Sequence, residues 1–313
     1  MRACREPLNC HQTRVEFKGP NQQNSSEGEP LPIPDANFHT NEIQKAVIAG
    51  RRADALVLTA GAGMGVDSGL PDFRGNQGFW NAYPPFKKLG LSFFDLANPQ
   101  WFDSNPRQAW GFYGHRLNLY KATRPHHGFD ILLKWANSKP AGYFVFTSNV
   151  DGHFQQAGFH ADRVVECHGS FSFLQCCQPC SDQLWASDKT NVVVDESTML
   201  AEEPLPQCPN CGSIARPNIL MFGDWNWVER FHAQQREKYQ RWFASLSPEV
   251  RVTVVEIGAG NAVPTVRNES ERRAQGPNQI LIRINVREFE GPNHCIPIAM
   301  PGLKALQEID RWI

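Results

Sequence analysis

Short apolar segments recur along this chain, and a polar or glycine-rich stretch follows each of them. Such segments are typical of strands that are buried in a parallel sheet. The pattern predicts strands over residues 55–58, 142–146, 164–167, 252–257 and 280–284. Because ligands of open α/β sheets bind at the carboxyl ends of the strands, the polar stretches mark the expected site. The sequence therefore predicts an α/β fold with a doubly wound, Rossmann-like parallel sheet.

The segments between these strands predict helices and a smaller module. A short helix is expected over 41–52, and residues 76–139 are aromatic and helical without a clear strand. Asn105 before Pro106 is a typical N-cap, and it opens a helix whose apolar face repeats at three- and four-residue steps. Residues 176–216 interrupt the alternation with cysteines, prolines and polar residues. We expect an inserted module there.

Composition narrows the class of protein. The 313 residues carry a formal net charge of −1, so no polybasic surface indicates nucleic acid or an anionic membrane. No apolar stretch is long enough to span a membrane, and residues 1–37, rich in polar residues and proline, predict a mobile tail. Nine cysteines, partly in close pairs, suit metal binding in a reducing compartment. We expect an intracellular protein. A cytoplasmic location is favoured, and a nuclear location is the alternative.

The run Thr59–Gly75 after the first predicted strand is the most informative motif. Its residues Gly61, Gly63 and Gly65 permit a tight turn and a close approach of a pyrophosphate to backbone N–H groups. The run continues as Asp72-Phe73-Arg74, which adds a carboxylate, an aromatic ring and a guanidinium beside the expected phosphates.

This run resembles the nucleotide-binding signature of sirtuins, the NAD-dependent protein deacylases. Thr147–Asp151 resembles the second motif of that family, Cys167–Ser170 resembles its His-Gly segment, and Ile284-Asn285 resembles its late strand. The resemblance covers residues 38–313 in family order, as one catalytic domain. It implies an NAD-binding sheet, a zinc and helical module, and an active site in the cleft between them, under the 76–100 loop.

The resemblance also implies the roles of the site residues. His168 is the expected general base, since a neutral imidazole suits proton removal from a ribose hydroxyl near pH 7; a structural histidine at a strand end is the alternative. Asn149 is expected to bind the ribose and Asp151 the nicotinamide amide, with an Asx-type turn as the alternative. The expected NAD-binding residues are Gly61, Ala62, Gly63, Asp72, Phe73, Arg74, Asn149, Asp151, Gly258, Gly260 and Asn285.

Several positions depart from the family pattern. Ser148 replaces the usual Gln, Gly65 and Gly260 stand where relatives often have Ser, and Pro264 comes one residue early. All of them lie on the expected nucleotide wall, so NAD affinity can differ from that of relatives.

Four cysteines have the spacing of a structural zinc site. Cys208 and Cys211 form a knuckle, and Cys180 precedes them. The fourth ligand is either Cys177, at the familiar two-residue spacing, or Cys176, which we favour from its distance to His168.

The expected substrate is an acyl-lysine protein or peptide. Residues 216–224 resemble the strand beside which the family places its peptide, which assigns Phe222 and Gly223 to substrate binding. Trp225 and Trp227 follow where relatives have Leu-Pro; they line an acyl tunnel, narrow it, or pack in the core. Tyr113 and Arg116 resemble the Tyr-x-x-Arg pair of sirtuins that remove acidic acyl groups, unless Arg116 is a surface residue.

The predicted reaction is NAD-dependent lysine deacylation, which releases nicotinamide and an O-acyl-ADP-ribose. Two alternatives remain open at this point. The chain could be an NAD glycohydrolase or mono-ADP-ribosyltransferase, or a non-catalytic NAD-binding module. The peptide strand argues against the first, and the presence of both His168 and Asn149 argues against the second.

Overall fold

The computed structural model of the chain describes residues 36–72 and 75–313. The predicted tail over 1–37 lies outside these residues, except for the last two, which begin the first helix. The strands are β1 Ala55–Ala60, β2 Tyr143–Thr147, β3 Val164–Glu166, β4 Gly169–Cys176, β5 Trp185–Ala186, β6 Val194–Asp195, β7 Leu200–Ala201, β8 Ala215–Ile219, β9 Val252–Ile257, β10 Gln279–Ile284 and β11 Cys295–Ile298.

Helices connect these strands and cover the sheets. The helices that the described residues form are α1 Ala36–Arg52, α2 Gly63–Val66, α3 Gly75–Ala82, α4 Pro84–Lys88, α5 Phe93–Leu96, α6 Trp101–Ser104, α7 Pro106–Ala122, α8 Gly128–Asn137, α9 His153–Gln156, α10 Arg230–Ala244, α11 Thr265–Arg273 and α12 Gly302–Asp310, with a 3₁₀ turn at Ala161–Arg163.

The main sheet is parallel and has the order β11-β10-β9-β1-β2-β3. Every residue of β1 is buried, because β2 and β9 flank the strand and helices cover both faces of the sheet. The five predicted parallel strands are all present, and the doubly wound α/β prediction is confirmed. β11 was not predicted, because its sequence, Cys295–Ile298, contains a proline and is very short.

Two apolar cores hold helices on the two faces of this sheet. One face packs against α1, α8 and α12, and the other packs against α10 and α11. Phe129, Leu132 and Trp135 of α8 belong to the first of these cores. The predicted 76–139 module therefore differs from the structure in its last part, since α8 packs on the sheet.

A third core joins the remaining predicted modules into one. It combines α3–α7 with the antiparallel sheet β5-β4-β8, so residues from 76–122 and from 176–216 pack together. The indole of Trp110 on α7 donates to the carbonyl of Ala215 at a distance of 2.9 Å. The predicted N-cap of α7 is present, with the Asn105 side chain accepting the Gln108 N–H.

A buried ion pair ties the later strands of the main sheet together. Arg283 of β10 lies beside Glu256 of β9, with Nε 2.6 Å from Oε1 and both side chains fully buried. Arg283 also donates to Glu271 on α11 and to the carbonyl of Glu290. These contacts join β9, β10 and α11 to the loop that leaves β10.

None of the helices in the described part of the chain combines the length and apolar content that crossing a bilayer requires.

Candidate active site

The loops at the carboxyl ends of β1, β2, β3 and β9 surround one large cavity. Its volume is about 620 Å³, and the chain segments opposite the strand ends come from α5, α7 and the stretch after β8. Among the residues predicted for the site, the following line this cavity: Gly61, Ala62, Asp72, Tyr113, Arg116, Asn149, Asp151, His168, Phe222, Gly223, Gly258 and Gly260.

The glycine wall of the cavity depends on a close contact between two backbones. A Cβ built on Gly258 would lie 2.4 Å from the Cα of Gly63, and one built on Gly61 would lie 2.7 Å from the Cα of Ala259. Gly258 also has a positive φ of 65°. Only glycine suits these positions, because any larger residue would push the two loops apart. Gly63 thus serves the wall by packing behind it and does not line the cavity.

Asn285 supports the same wall from behind. Its side-chain amide donates to the carbonyl of Ala259 at 2.8 Å, and its side-chain oxygen accepts the N–H groups of Arg287 and Glu288. Asn285 is buried and does not line the cavity. The structure therefore gives Asn285 contacts that fix a loop.

Two further residues that were predicted to bind NAD, Phe73 and Arg74, lie outside the described residues.

The second motif forms the floor of the cavity. Ser148, Asn149 and Asp151 follow β2 and all line it. The Thr147 hydroxyl donates to the Ala60 carbonyl and accepts the Asn149 N–H at 3.0 Å, which orients the motif relative to β1. Asp151 accepts the N–H of His153 at 2.9 Å. Burial disfavours the charged form of the Asp151 carboxyl group and therefore raises its pKa.

His168 lies between β3 and β4, with its imidazole at the cavity. Its Nε2 lies 3.3 Å from the hydroxyl of Thr265 at the start of α11, and its carbonyl accepts the N–H of Leu220. Burial lowers the pKa of His168 below the ordinary value of 6.5. The imidazole is thus predominantly neutral at pH 7, the form that accepts a proton.

Gly169 explains why glycine follows this histidine. Its φ is +84°, and a Cβ there would lie 2.1 Å from the carbonyl oxygen of Asn218 on β8. Glycine thus lets β4 leave His168 sharply and approach β8 closely.

An ion pair that the sequence did not reveal fixes the segment after β8. Arg216 and Asp224 make two hydrogen bonds of 2.7 and 2.8 Å, and both side chains are buried. Asp224 also accepts the N–H groups of Met221 and Asn226. The segment that carries Phe222 and Gly223 is therefore held in one conformation. The eight-residue spacing of the two partners gave no signal in the sequence.

Polar groups also surround the elements that carry His168. Glu166 exchanges hydrogen bonds with Gln235 of α10, and burial raises the pKa of Glu166 to about 7. His232 of the same helix lies 2.7 Å from Asn218 Oδ1, and burial lowers its pKa to about 4. Both groups are shifted toward their neutral forms. Sequence reasoning missed them because their partners are far away in the chain.

Arg116 lies inside a group of aromatic rings. Its guanidinium carbon is 5.2 to 5.9 Å from the ring centres of Phe93, Phe112, Tyr113, Tyr120 and Phe171. It donates to the hydroxyl of Tyr120 at 2.9 Å, and only 6% of the residue is exposed. The surface alternative for Arg116 is wrong. Burial raises the pKa of Tyr113 and of Tyr120, so both hydroxyls keep their protons at neutral pH.

Comparison with known proteins identifies the family. The model of the Sir2 family matches residues 61–242, more than half of the chain and most of the cavity wall. The chain belongs to the Sir2 family. The predicted resemblance to sirtuins is thereby confirmed.

Curated relatives of this Sir2 chain carry the names of NAD-dependent enzymes. An NAD-dependent protein deacylase of Aquifex aeolicus is 32% identical over 169 residues, which cover 54% of this chain and 62% of that protein. One of Leptospira interrogans is 34% identical over 166 residues, or 53% of this chain and 58% of that protein. The chain thus spans about three fifths of the length of the curated relatives it matches.

Solved Sir2 structures share the fold. A Sir2 homologue in complex with NAD has a TM-score of 0.61 and 23% identity, covering 86% of this chain and 92% of that chain. A structure described as a basis of sirtuin substrate affinity has a TM-score of 0.62 and 20% identity, covering 85% and 97%. At these identities the likeness shows the fold alone.

Four cysteines of this Sir2 chain could hold a metal ion. The sulfurs of Cys176, Cys180, Cys208 and Cys211 all lie within 4.8 Å of one another. Cys177, the residue directly after β4, does not belong to this group and packs in the third core. Four thiolates in a closed group suit tetrahedral zinc without an open position. Of the two open alternatives, the structure brings Cys176 to the cluster.

We predict that replacing Cys176 and Cys177 separately by alanine separates their roles. The Cys176→Ala variant should lose the metal, because three sulfurs bind zinc far more weakly than four, whereas Cys177→Ala should keep one zinc per chain. The measurement is metal content by mass spectrometry on purified, folded protein.

Retention of stoichiometric zinc by Cys176→Ala would contradict the assignment. If that variant does not fold, the zinc content of Cys177→Ala provides the second measurement, and loss of zinc there would contradict the assignment.

Proposed function

We propose that this protein is an NAD-dependent protein lysine deacylase. In the proposed reaction NAD, water and an acyl-lysine are consumed, and lysine, nicotinamide and an O-acyl-ADP-ribose are formed. The observation that carries the proposal is that one cavity holds His168, the Asn149–Asp151 motif and the glycine wall together. The names of the curated relatives support the same activity.

NAD is the proposed co-substrate of this cavity. The backbone around Gly61, Ala62, Gly258 and Gly260 offers a wall with no side chain larger than a methyl group, which leaves room for the close approach of a pyrophosphate. Asn149 is proposed to hold the nicotinamide ribose and Asp151 the nicotinamide amide. The raised pKa of Asp151 fits a carboxyl group that binds a neutral amide in a buried place.

His168 is proposed to act as the general base. Its imidazole lines the cavity and its pKa is lowered by burial, so it can take a proton from a ribose hydroxyl at neutral pH. The Thr265 hydroxyl at 3.3 Å orients the ring. An orienting partner of this kind limits the rotation of the imidazole.

The acylated protein is proposed to bind beside residues 220–225, which continue from β8 along the cavity. The Arg216–Asp224 ion pair holds this segment in place before a peptide arrives. An extended peptide can gain backbone hydrogen bonds there with little demand on its own sequence. This segment favours deacylation over simple NAD hydrolysis.

The intracellular, cytoplasmic location stays a prediction from the sequence.

The decisive experiment compares the unmodified protein with His168→Ala. With NAD and an acetyl- or succinyl-lysine peptide, the unmodified protein should release nicotinamide and acyl-ADP-ribose in equal amounts. Loss of a general base typically lowers turnover by about 10²–10⁴-fold. Products are quantified by mass spectrometry, and NAD binding by calorimetry should survive in the variant.

Two results would overturn the proposal. Nicotinamide formed without loss of the acyl group from the peptide would indicate a glycohydrolase or ADP-ribosyltransferase. NAD binding without any product would indicate a non-catalytic module.

The pH dependence should report His168. Because its pKa is lowered, the neutral base persists below pH 6.5, and kcat/KM should fall only on further acidification. The measurement is kcat/KM between pH 5 and 9, under conditions where the protein stays folded.

Glu166 provides the control for this profile, since its pKa is raised to about 7. In Glu166→Gln the acid limb should stay in place if His168 causes it. An acid limb near pH 7 that disappears in this variant would contradict the assignment to His168.

The acyl group is proposed to be acidic. Tyr113 and Arg116 line the same cavity as His168, and Arg116 is buried among aromatic rings. A guanidinium in such surroundings can bind a carboxylate by a charge-assisted, bidentate contact. The protonated hydroxyl of Tyr113 can donate to the same carboxylate. Succinyl- or malonyl-lysine would fit this end of the cavity.

We predict that Arg116→Met lowers kcat/KM for a succinyl peptide more than for the matching acetyl peptide. The variant leaves the succinyl carboxylate buried and unpaired, at a cost of roughly 1–3 kcal/mol, or about 5- to 150-fold. The acetyl group has no carboxylate to lose.

Arg107→Met is the matched control on the same helix. Arg107 donates to the carbonyl of Ala201 and does not line the cavity, so its loss should leave the ratio of the two peptides unchanged. An unchanged ratio in Arg116→Met would mean that Arg116 is structural.

A further inference from the structure

Large apolar side chains are exposed at one part of the cavity wall. Trp225 is 95% exposed, Phe94 is 51% exposed, and Phe222 and Val263 are each 40% exposed. All four line the cavity that holds His168. Exposed aromatic groups that adjoin a binding cavity are typical of an interaction surface.

Three of these side chains, Phe94, Phe222 and Trp225, form what we call the aromatic shelf. The ring centres of Phe94 and Phe222 are 4.7 Å apart, so α5 and the segment after β8 meet there. Phe93 touches Phe222 edge-on at 6.4 Å and supports it from the interior. Trp225 follows three residues later in the same segment, with its indole in solvent.

The neighbouring indole has a different environment. Trp227 stacks on the buried His232, with ring centres 5.2 Å apart and planes at 14°. Trp227 does not line the cavity, whereas Trp225 does. Of the two indoles after Gly223, one is therefore part of the packing and the other is free to contact a ligand.

Trp225 is exposed on a fixed turn. Its neighbour Asp224 is bound by Arg216 through two hydrogen bonds and accepts the N–H of Asn226. The carboxylate of Asp224 is fully buried, so the charge next to the indole is neutralised and hidden. A turn that is already ordered loses little conformational freedom when it binds a partner. With the neighbouring charge hidden, this surface attracts apolar groups more than charged ones.

We propose that the aromatic shelf binds a bulky apolar or aromatic side chain of the substrate, close in sequence to the acyl-lysine. The inference rests on the proposed function and adds a preference for the residues that flank the lysine. The shelf is continuous with the cavity that holds His168, so a polypeptide whose acyl-lysine enters the cavity along residues 220–225 passes over it. The occupant is therefore the substrate polypeptide, with Trp225 as its main contact.

The experiment measures the binding of acyl-lysine peptides without NAD, so that it does not depend on turnover. In otherwise alanine-rich succinyl- and acetyl-lysine peptides, Phe, Ala or Glu is placed at each of the three positions before and after the lysine. The unmodified protein should bind Phe about tenfold more tightly than Ala at one or more positions. Glu should bind no better than Ala.

In Trp225→Ala the ratio of the Phe and Ala dissociation constants should fall toward one. Trp312→Ala is the matched control, because Trp312 is 61% exposed but does not line the cavity, and the ratio should persist there. Circular dichroism spectra and melting temperatures confirm that both variants fold.

Equal binding of Phe and Ala at every position, or a preference that persists in Trp225→Ala, would overturn the inference. A dimer in sedimentation analysis that Trp225→Ala dissolves would also overturn it, since the shelf would then serve a second copy of the chain. Turnover with NAD is measured in parallel. Tight binding of Phe peptides without any product would contradict the proposed function and leave the shelf in place.

Discussion

The backbone of the loop after β1 lies directly against the backbone of the loop after β9, and the site depends on this contact. The N–H groups of Gly61 and Gly63 donate to the carbonyls of Ile257 and Gly258, each at 3.0 Å. A side chain at Gly61 or Gly258 would occupy the space of the opposite backbone. Because both loops are also anchored to the parallel sheet, their separation is set by the strand spacing. The wall facing the cavity therefore carries no side chain larger than a methyl group.

The opposite wall is built by a different principle. The sheet supplies strand ends with polar groups, whereas the core shared by α3–α7 and the sheet β5-β4-β8 supplies aromatic side chains. His168 stands at the junction, because β3 belongs to the main sheet and β4 to the smaller one. The four cysteine sulfurs lie close together at the end of this smaller unit that is farther from His168. A structural metal there would act on the cavity through β4, which begins directly after His168, and through β8, which leads into the segment with Phe222 and Trp225.

The sequence predicted the features that depend on residues close together in the chain. Alternation of short apolar runs with polar motifs located the parallel strands, and Asn105 before Pro106 located the start of α7. The contacts that fix the site join residues that are not close neighbours in the chain, as Arg216 joins Asp224 and Gln235 joins Glu166. No sequence pattern indicates these pairs. The choice between Cys176 and Cys177 also needed the structure. Spacing rules allow both, whereas the structure places the sulfur of Cys176 with those of Cys180, Cys208 and Cys211 and packs Cys177 in the third core.

Electrostatics around His168 follow from burial more than from neighbouring charges. Burial lowers the pKa of His168 and of His232 and raises that of Glu166 to about 7, so each group is shifted toward its neutral form. A base in such surroundings is not held protonated by a nearby carboxylate, and it is not discharged by a nearby cation. Its proton affinity is then set by how far water is excluded. Leu220, Met221 and Phe222 line the cavity with His168, so a peptide bound there, as proposed, would exclude more water and lower that proton affinity further. In the proposed reaction, substrate binding and the protonation of His168 would thus be coupled through the same segment.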